Sequence, residues 1–314
     1  MLSRVANSIY WMSRYIERAE NYARFIDVLK NLSLELPPTL KEQWNPLVMM
    51  TGDAALFEAK YSSYTKINVI KFLTVDAENP NSIYSCVSKA RENARTIRDT
   101  LTIEMWIQIN ELYLSVQSRQ KTKNWTDETL NAFIKEIIDG SHLFSGIMHT
   151  TFSHGEAWNF SLVGRMLERA DKITRMIDMK YYYLLPKVEY VGTSLDLLQW
   201  SATLKAASAY EMYRKTYPRL TAPNILEFLL LNKNFPRAVK YCVTRAETGI
   251  HNITGTPTNT YTFKSERELG KLRSELDFTD TNEILKFGLH DYLDSLETKV
   301  NNIGAAISES FFFN

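Results

Sequence analysis

Hydrophobic residues recur along this chain at the three- and four-residue spacing of α-helices, and no stretch alternates in the manner of a β-strand. At about 100° per residue, two segments each place five hydrophobic side chains within one arc, as a helix with one buried face does. They are Met12, Tyr15, Ala19, Tyr22 and Ile26 in the first segment, and Val163, Met166, Ala170, Ile173 and Ile177 in the second. Prolines are expected to end these helices, at Leu36-Pro37-Pro38 and at Leu184-Leu185-Pro186. Further helices are predicted at about 40–62, 80–117, 126–150, 191–215, 222–250 and 280–312, with a loop at Thr254–Thr260. The pattern predicts an all-α protein.

The same two segments also share their charged residues. Residues 11–27 and 162–178 both carry the pattern R-x-x-E-R-A-[E/D]-x-x-x-R-x-x-D, and Glu168 follows Glu17 at an offset of 151. Further matches follow at an offset of 156: Gln43-Trp44 with Gln199-Trp200, Val69–Leu73 with Ile225–Leu229, and Pro80–Ala90 with Pro236–Ala246. The change of offset requires about five additional residues in one loop, which costs little free energy. The matches predict an internally duplicated helical bundle with two pseudo-symmetric repeats, 1–154 and 155–314, in one compact body.

The duplicated charged residues allow three interpretations. On each helix three of them lie along one stripe: Arg14, Glu17 and Arg18, and Arg165, Glu168 and Arg169. Pairs within one helix contribute only about 0.2–0.5 kcal/mol each, too little to explain why the whole set recurs. In the structural interpretation the helices face each other, with Glu17 pairing Arg169 or Arg165 and Glu168 pairing Arg18 or Arg14. In the second, the arginines form an anion site for a peptide carboxylate, a phosphate or an acyl phosphate. In the third, the charged face docks a partner.

A second charged cluster occurs in one repeat only. Arg91, Arg95 and Arg98 are predicted to lie in a narrow arc of one helix, with Glu92 and Asp99 beside them. The matching positions of the second repeat are Glu247, His251 and Thr254. These arginines are interpreted either as ion pairs over the edge of the core or as a groove for an anionic ligand or partner.

Composition and motifs exclude several classes of function. The chain is 45% hydrophobic and 23% charged, with a net charge of +1 over 314 residues, so neither nucleic acid nor an anionic membrane is expected as a partner. No signal peptide or membrane-spanning run is recognised, and a cytoplasmic location is expected. Cys86 and Cys242 are expected to be buried and unpaired. Phosphate-loop, dinucleotide, nucleophile-elbow and C-x-x-C motifs are absent, so no cofactor is predicted and the chain is not expected to bind ATP.

A metal site is likewise not predicted. Di-iron helical bundles use Glu-x-x-His on two helices. Here the corresponding segments read Glu17-x-x-Glu20 and Glu168-x-x-Asp171, and the adjacent Arg18 and Arg169 would repel a cation. The same arginines lower the pKa of a neighbouring carboxyl, which makes Glu17 and Glu168 poor general acids near neutral pH.

Several motifs together resemble the bacterial Alpha-E family. They are the duplicated Glu-Arg helix, Ala90–Arg95 with Glu104-Met105-Trp106, Arg267–Leu272, and the tail from Asp280 to Phe312. The resemblance implies an all-helical domain, encoded beside or fused to a circularly permuted ATP-grasp protein, often near transglutaminase-like peptidases. It implies a part in bacterial peptide synthesis or modification.

The leading hypothesis is a non-catalytic helical module that binds an ATP-grasp protein or its peptide substrate and holds an anionic group. An alternative is an enzyme of amide transfer or hydrolysis that uses Glu17, Glu168 and the Arg91–Arg95–Arg98 stripe in one pocket. A third is a self-assembling scaffold, because Tyr181–Tyr183 and Phe311–Phe313 are apolar clusters suited to packing against a second copy.

Overall fold

The computed structural model describes residues 1–35, 44–122, 125–182 and 192–313, and these are α-helical with no β-strand. The helices are α1 Ser3–Glu35, α2 Asn45–Thr51, α3 Ala54–Lys60, α4 Lys66–Thr74, α5 Ile83–Thr96, α6 Ile103–Arg119, α7 Asp127–Thr151, α8 Glu156–Tyr182, α9 Ser194–Ala206, α10 Tyr210–Thr216, α11 Ala222–Leu226, α12 Val239–Thr254, α13 Lys264–Phe278, α14 Thr281–Phe287 and α15 Leu289–Phe311. A 3₁₀ turn at Arg98–Thr100 and a π-helical turn at Glu227–Leu231 complete the list. The all-α prediction is confirmed.

The two helices that carry the duplicated pattern, α1 and α8, pack side by side and run in the same direction. Their closest approach is at Gly164, where an added Cβ would lie 2.4 Å from the backbone oxygen of Tyr10. One turn away the hydroxyl groups of Ser13 and Ser161 are 2.6 Å apart. Small side chains at this crossing bring the backbones close, so charged side chains further along both helices can meet.

Other helices enclose this central pair. Helix α5 packs on α1, whereas α12 and α15 pack on α8. Helix α2 contacts α8 and α9 contacts α1, so each central helix is also covered by a helix from the other half of the chain. Buried side chains from both halves belong to one continuous hydrophobic cluster. Cys86 and Cys242 are both buried and free, as expected.

Four long predicted helices are divided in the structure. The segment predicted at 40–62 breaks after α2 at Gly52, whose φ of 78° belongs to the left-handed region. The segment predicted at 280–312 breaks at Gly288, with φ 107°. The segment predicted at 191–215 ends at Ala206 and resumes at Tyr210, after Ser208 at φ 50°. The segment predicted at 222–250 passes from α11 through the π-helical turn and a loop into α12, which extends to Thr254.

The predicted helix 80–117 is also wrong as one element. Helix α5 ends at Thr96, and α6 begins only after Thr102, whose hydroxyl accepts a hydrogen bond from the backbone N–H of Met105. Helix α7 agrees closely with the prediction at 126–150. Helices α4 and α13 were not predicted. The proposed proline stops at 36–38 and 184–186 lie outside the described residues.

The aromatic tail packs against its own chain. The ring of Phe312 is 5.3 Å from that of Tyr10, and the ring of Phe311 is 5.4 Å from that of Phe160. Phe313 is 81% exposed. The side chains of Tyr181–Tyr183 are not among those described. Within the described ranges, no helix combines the length and the hydropathy needed to cross a membrane.

Candidate functional site

Glu168 on α8 lies at the centre of the first ion-pair cluster. Its side chain is fully buried and accepts hydrogen bonds from Arg18 through Nε at 2.6 Å and Nη2 at 3.0 Å. The Nε of Arg14 donates a third at 2.8 Å. The bidentate geometry of Arg18 fixes the guanidinium plane relative to the carboxylate. This pairing between α8 and α1 is the one that the structural interpretation predicted.

Glu17 on α1 forms the reciprocal pair. Arg169 donates to its two carboxylate oxygens through Nε and Nη2, both at 2.8 Å. The amide of Asn21 donates at 3.1 Å, and Nη1 of Arg237 lies at 3.4 Å. The register of α1 against α8 is therefore defined by two bidentate Glu–Arg pairs that run in opposite senses.

Both glutamates are held in the charged form. Burial acts to raise the pKa of Glu168, but the attraction of Arg18 and Lys172 outweighs it and holds the pKa well below its usual value. For Glu17 the balance is similar, because Arg169 outweighs burial and lowers the pKa. A carboxyl with a lowered pKa has no proton to give near neutral pH. These glutamates are thus suited to fixing arginines and unsuited to general-acid chemistry.

Sequence reasoning missed several members of these clusters. Glu20 accepts hydrogen bonds from Arg24 and Arg237, whereas Asp171 accepts from Lys172 and Arg175. Glu20, Arg24, Asp171 and Arg175 belong to the recurring charged pattern but were not chosen as site residues. The sequence gives little indication that Arg237 belongs to the site. It lies far along the chain from Glu17, and the matching position of the predicted first repeat is the uncharged Asn81.

Arg165 departs from its predicted role. It was named with Arg169 as one of two alternative partners of Glu17, and the structure contains Arg169 in that role. Arg165 makes no hydrogen bond or ion pair with any described residue, and its Nε is buried without a partner. Burial and the nearby charge of Arg169 lower its pKa to about 10, so it remains charged at neutral pH. Arg237 contacts Glu17 instead. Arg165 is half-buried, and a buried Nε–H without an acceptor costs free energy, so a ligand at this residue would stabilise the protein.

Arg165 lines a cavity of about 690 Å³ bounded by α7, α8 and α12. Its charged and aromatic lining consists of Arg165, Arg169, Arg237, Arg245, Glu20, His142, His149, His154, Trp158, Phe235 and Tyr241. Glu20 is the sole acidic residue among the described lining residues, and it already pairs with Arg24 and Arg237. Like Arg165, Arg245 has no hydrogen bond or ion pair within the described part of the chain. The cavity is therefore electropositive, with two guanidinium groups available to a ligand.

The second predicted cluster does not form an anion groove. Arg91 donates to Asn110 at 2.8 Å and to Glu92 at 3.1 Å, and it lies over the ring of Tyr113. Arg95 also donates to Glu92, at 2.9 Å. Each of these guanidinium groups already has partners in its own neighbourhood.

The helix predicted to carry all three arginines ends before Arg98. Arg98 and Asp99 therefore lie in the 3₁₀ turn, where the guanidinium of Arg98 lies over the ring of Trp106. The proposed stripe on one helix is wrong, and none of the residues chosen for it lines the basic cavity.

Metal ligation finds no support in this geometry. Among the described residues no group of three or more His, Cys, Asp or Glu side chains is arranged to hold a metal ion.

A comparison with known protein families identifies one whose description includes a Glu-Arg motif. Residues 1–312 match the model of Alpha-E, described as a predicted alpha-helical domain with a conserved ER motif. The chain belongs to the Alpha-E family. Glu17-Arg18 and Glu168-Arg169 are Glu-Arg dipeptides at the centre of its two ion-pair clusters.

Curated relatives of this Alpha-E chain include mycobacterial proteins that are named as uncharacterised. An uncharacterised protein of Mycobacterium bovis is 22% identical over 299 residues, and one of Mycobacterium tuberculosis is 21% identical over the same length. Each match covers 90% of this chain and 33% of the relative, so the chain spans about a third of the length of these proteins. No solved structure matches the chain.

Proposed function

We propose that this Alpha-E chain is a non-catalytic module that binds an anionic group in the cavity between α7, α8 and α12. The observation that carries the proposal is the unpaired guanidinium of Arg165 at that cavity. A half-buried cation whose Nε is buried without a partner lowers stability unless a ligand supplies the missing acceptor and charge. Arg245 adds a second available guanidinium on the facing helix.

The wider role is that of an accessory to a circularly permuted ATP-grasp protein in bacterial peptide synthesis or modification. Membership of the family supports this role, as does the length of the mycobacterial relatives, which leaves room for further domains. Ligands suited to the cavity in such a system include a peptide carboxylate, a phosphate and an acyl phosphate.

The module is further proposed to have arisen by duplication, with repeats 1–154 and 155–314. The reciprocal pairs Glu17–Arg169 and Arg18–Glu168 support this, because the two pairs occupy equivalent positions: at the offset of 151, Glu17 matches Glu168 and Arg18 matches Arg169. In this view the paired glutamates hold the two halves in register, and the ligand site developed on one side only.

The enzyme alternative requires both glutamates and the arginine stripe to meet in one open pocket. Neither Glu17 nor Glu168 lines the basic cavity, and Arg91 and Arg95 are engaged with Glu92 away from it. The scaffold alternative loses its main feature, because Phe311 and Phe312 pack within the chain. The binding module is therefore the function that the geometry favours.

The test is co-purification of the chain with the neighbouring ATP-grasp protein, followed by measurement of ATP turnover with and without the chain. We expect a stable complex whose turnover depends on the chain, and we expect Arg165→Gln to lower that turnover while the complex persists. Arg95→Gln, on an exposed surface away from the cavity, serves as the matched control. Absence of both a complex and an effect on turnover would refute the accessory role.

A further inference from the structure

The charges around the basic cavity do not balance. Five arginines lie at or behind its wall, opposed by two carboxylates: Arg24, Arg165, Arg169, Arg237 and Arg245 against Glu17 and Glu20. The cluster around Glu168 is nearer to balance once Glu297, whose pKa is raised to about 7, is ionised. It then has four cations against three carboxylates: Arg14, Arg18, Lys172 and Arg175 against Glu168, Asp171 and Glu297. The cavity side thus carries a surplus of three positive charges.

One substitution between the predicted repeats accounts for much of this surplus. On the balanced side, Asn81 accepts a hydrogen bond from Arg18 at 2.7 Å, and Arg14 remains bonded to Glu168. On the cavity side the position that matches Asn81 is Arg237, which bonds Glu20 and contacts Glu17. Arg165, which matches Arg14, is left without a carboxylate. Arg237 therefore both adds a charge and releases a guanidinium toward the cavity.

The size and walls of the cavity indicate a ligand larger than a simple inorganic ion. At about 690 Å³ the cavity is in the range of small-molecule sites. His154 stacks on Trp158 with ring centres 4.3 Å apart, and Leu162 and Met166 add apolar surface near Arg165. An organic body would lie against these side chains while its charged end reaches the arginines.

We infer that the cavity binds a phosphoryl dianion carried on an organic body, in preference to a single carboxylate. This inference rests on the proposed anion-binding function and specifies the class of ligand. A dianion neutralises two of the three surplus charges, whereas a carboxylate neutralises one. Two guanidinium forks also match the oxygens of a phosphoryl group through charge-assisted hydrogen bonds.

The test is isothermal titration calorimetry of the full chain in a phosphate-free buffer of low ionic strength at about pH 7.5, where a phosphate monoester is mostly dianionic because its second pKa is about 6. Phenyl phosphate and benzoate are the matched probes, since both carry an aromatic ring and differ in charge. Inorganic phosphate is the third probe. We expect phenyl phosphate to bind at least about tenfold more tightly than benzoate, and inorganic phosphate to bind more weakly than phenyl phosphate.

Arg165→Gln and Arg245→Gln locate the binding. Each is expected to weaken the binding of phenyl phosphate at least about tenfold, whereas Arg95→Gln leaves it unchanged. Neither Arg165 nor Arg245 makes a hydrogen bond or ion pair with a described residue, so both variants should fold, and thermal melting checks that they do. Arg165→Gln is expected to melt no lower than the original chain, because it removes a half-buried charge that no ion pair compensates.

The outcomes separate this inference from the proposed function. Equal binding of benzoate and phenyl phosphate would overturn the preference for a dianion and leave anion binding in place. Failure of all three probes to bind would overturn both proposals. Binding of phenyl phosphate that is undiminished in both arginine variants would also overturn the inference, because the ligand would then occupy another site.

Discussion

Glu168→Gln tests whether the paired glutamates hold α1 against α8. The substitution keeps the size and shape of the side chain and removes its charge. In the protein this buried carboxylate accepts three hydrogen bonds of 2.6 to 3.0 Å from Arg14 and Arg18, and the Nζ of Lys172 lies 3.5 Å away. Without the charge, three cations remain close together in the interior, and one donor meets an amide N–H₂ instead of an acceptor.

The expected loss follows from this geometry. Removing one partner from a buried ion pair costs about 3–5 kcal/mol, because the remaining charge stays buried without compensation. Arg14 and Arg18 form their ion pairs with Glu168, whereas Lys172 also pairs with Asp171. Because two guanidinium groups would lose their carboxylate, we expect the upper part of that range. The matched control is Glu92→Gln. Glu92 pairs with Arg91 and Arg95 at the surface with its side chain 53% exposed, and its loss should cost about 0–1 kcal/mol.

The assay is urea denaturation followed by circular dichroism, with the free energy of unfolding obtained by linear extrapolation. A double-mutant cycle that combines Glu168→Gln with Arg18→Met isolates the pair, and we expect a coupling energy of about 1–3 kcal/mol. If Glu168→Gln costs no more than Glu92→Gln, the argument that this network maintains the helix register is refuted. Additive effects in the cycle would refute the direct pairing of Glu168 with Arg18.

Two further predictions concern pH and packing. Burial raises the pKa of Glu297 from 4.5 to about 7, despite the contact of this carboxyl with Arg175. The folded protein therefore holds this proton more tightly than the unfolded chain does. The stability that results is fully present below about pH 4.5 and is lost as the pH rises through 7. This decline amounts to at most about 3 kcal/mol. Melting curves recorded from pH 4.5 to 8 should show a smaller decline in Glu297→Gln. An unchanged decline would contradict the assignment of this pH dependence to Glu297. Gly164→Ala places a Cβ against the backbone of Tyr10 and should lower the free energy of unfolding, measured in urea, by about 1–3 kcal/mol. The control is Gly146→Ala, whose Cβ has open space, and it should stabilise α7 by about 0.5–1 kcal/mol. Equal effects of the two alanines would contradict the close approach of α1 and α8.

The pairing of α1 with α8 was accessible from the sequence because its signal is local and occurs twice. Each helix carries its arginines and glutamate at helical spacing, so the stripe on each follows from the geometry of one element. The recurrence of the charged residues on both helices indicated that the two stripes could contact each other. The structure contains three of the four pairings then named, Glu17 with Arg169 and Glu168 with both Arg18 and Arg14.

Helix boundaries were less predictable, for reasons that differ between sites. Gly52 and Gly288 offered a recognisable signal, since glycine is favoured where φ is positive. Thr102 offered another, as a capping residue before α6. Ser208 offered none, because serine seldom adopts φ 50°. The prediction that Arg91, Arg95 and Arg98 form one stripe was wrong because α5 ends at Thr96.

The sequence by itself determined that the chain is helical and that two of its helices carry matching charged stripes, and it offered pairing of their glutamates with arginines as one of three interpretations. Those properties depend on residue spacing within one element. Only the tertiary structure decided which arginine remains unpaired, because that depends on the sum of charges brought together from distant segments. Arg237 reaches Glu17 from 220 residues away along the chain and leaves Arg165 facing the cavity. The candidate site is thus a property of the charge balance in the folded protein, which no single segment of the sequence contains.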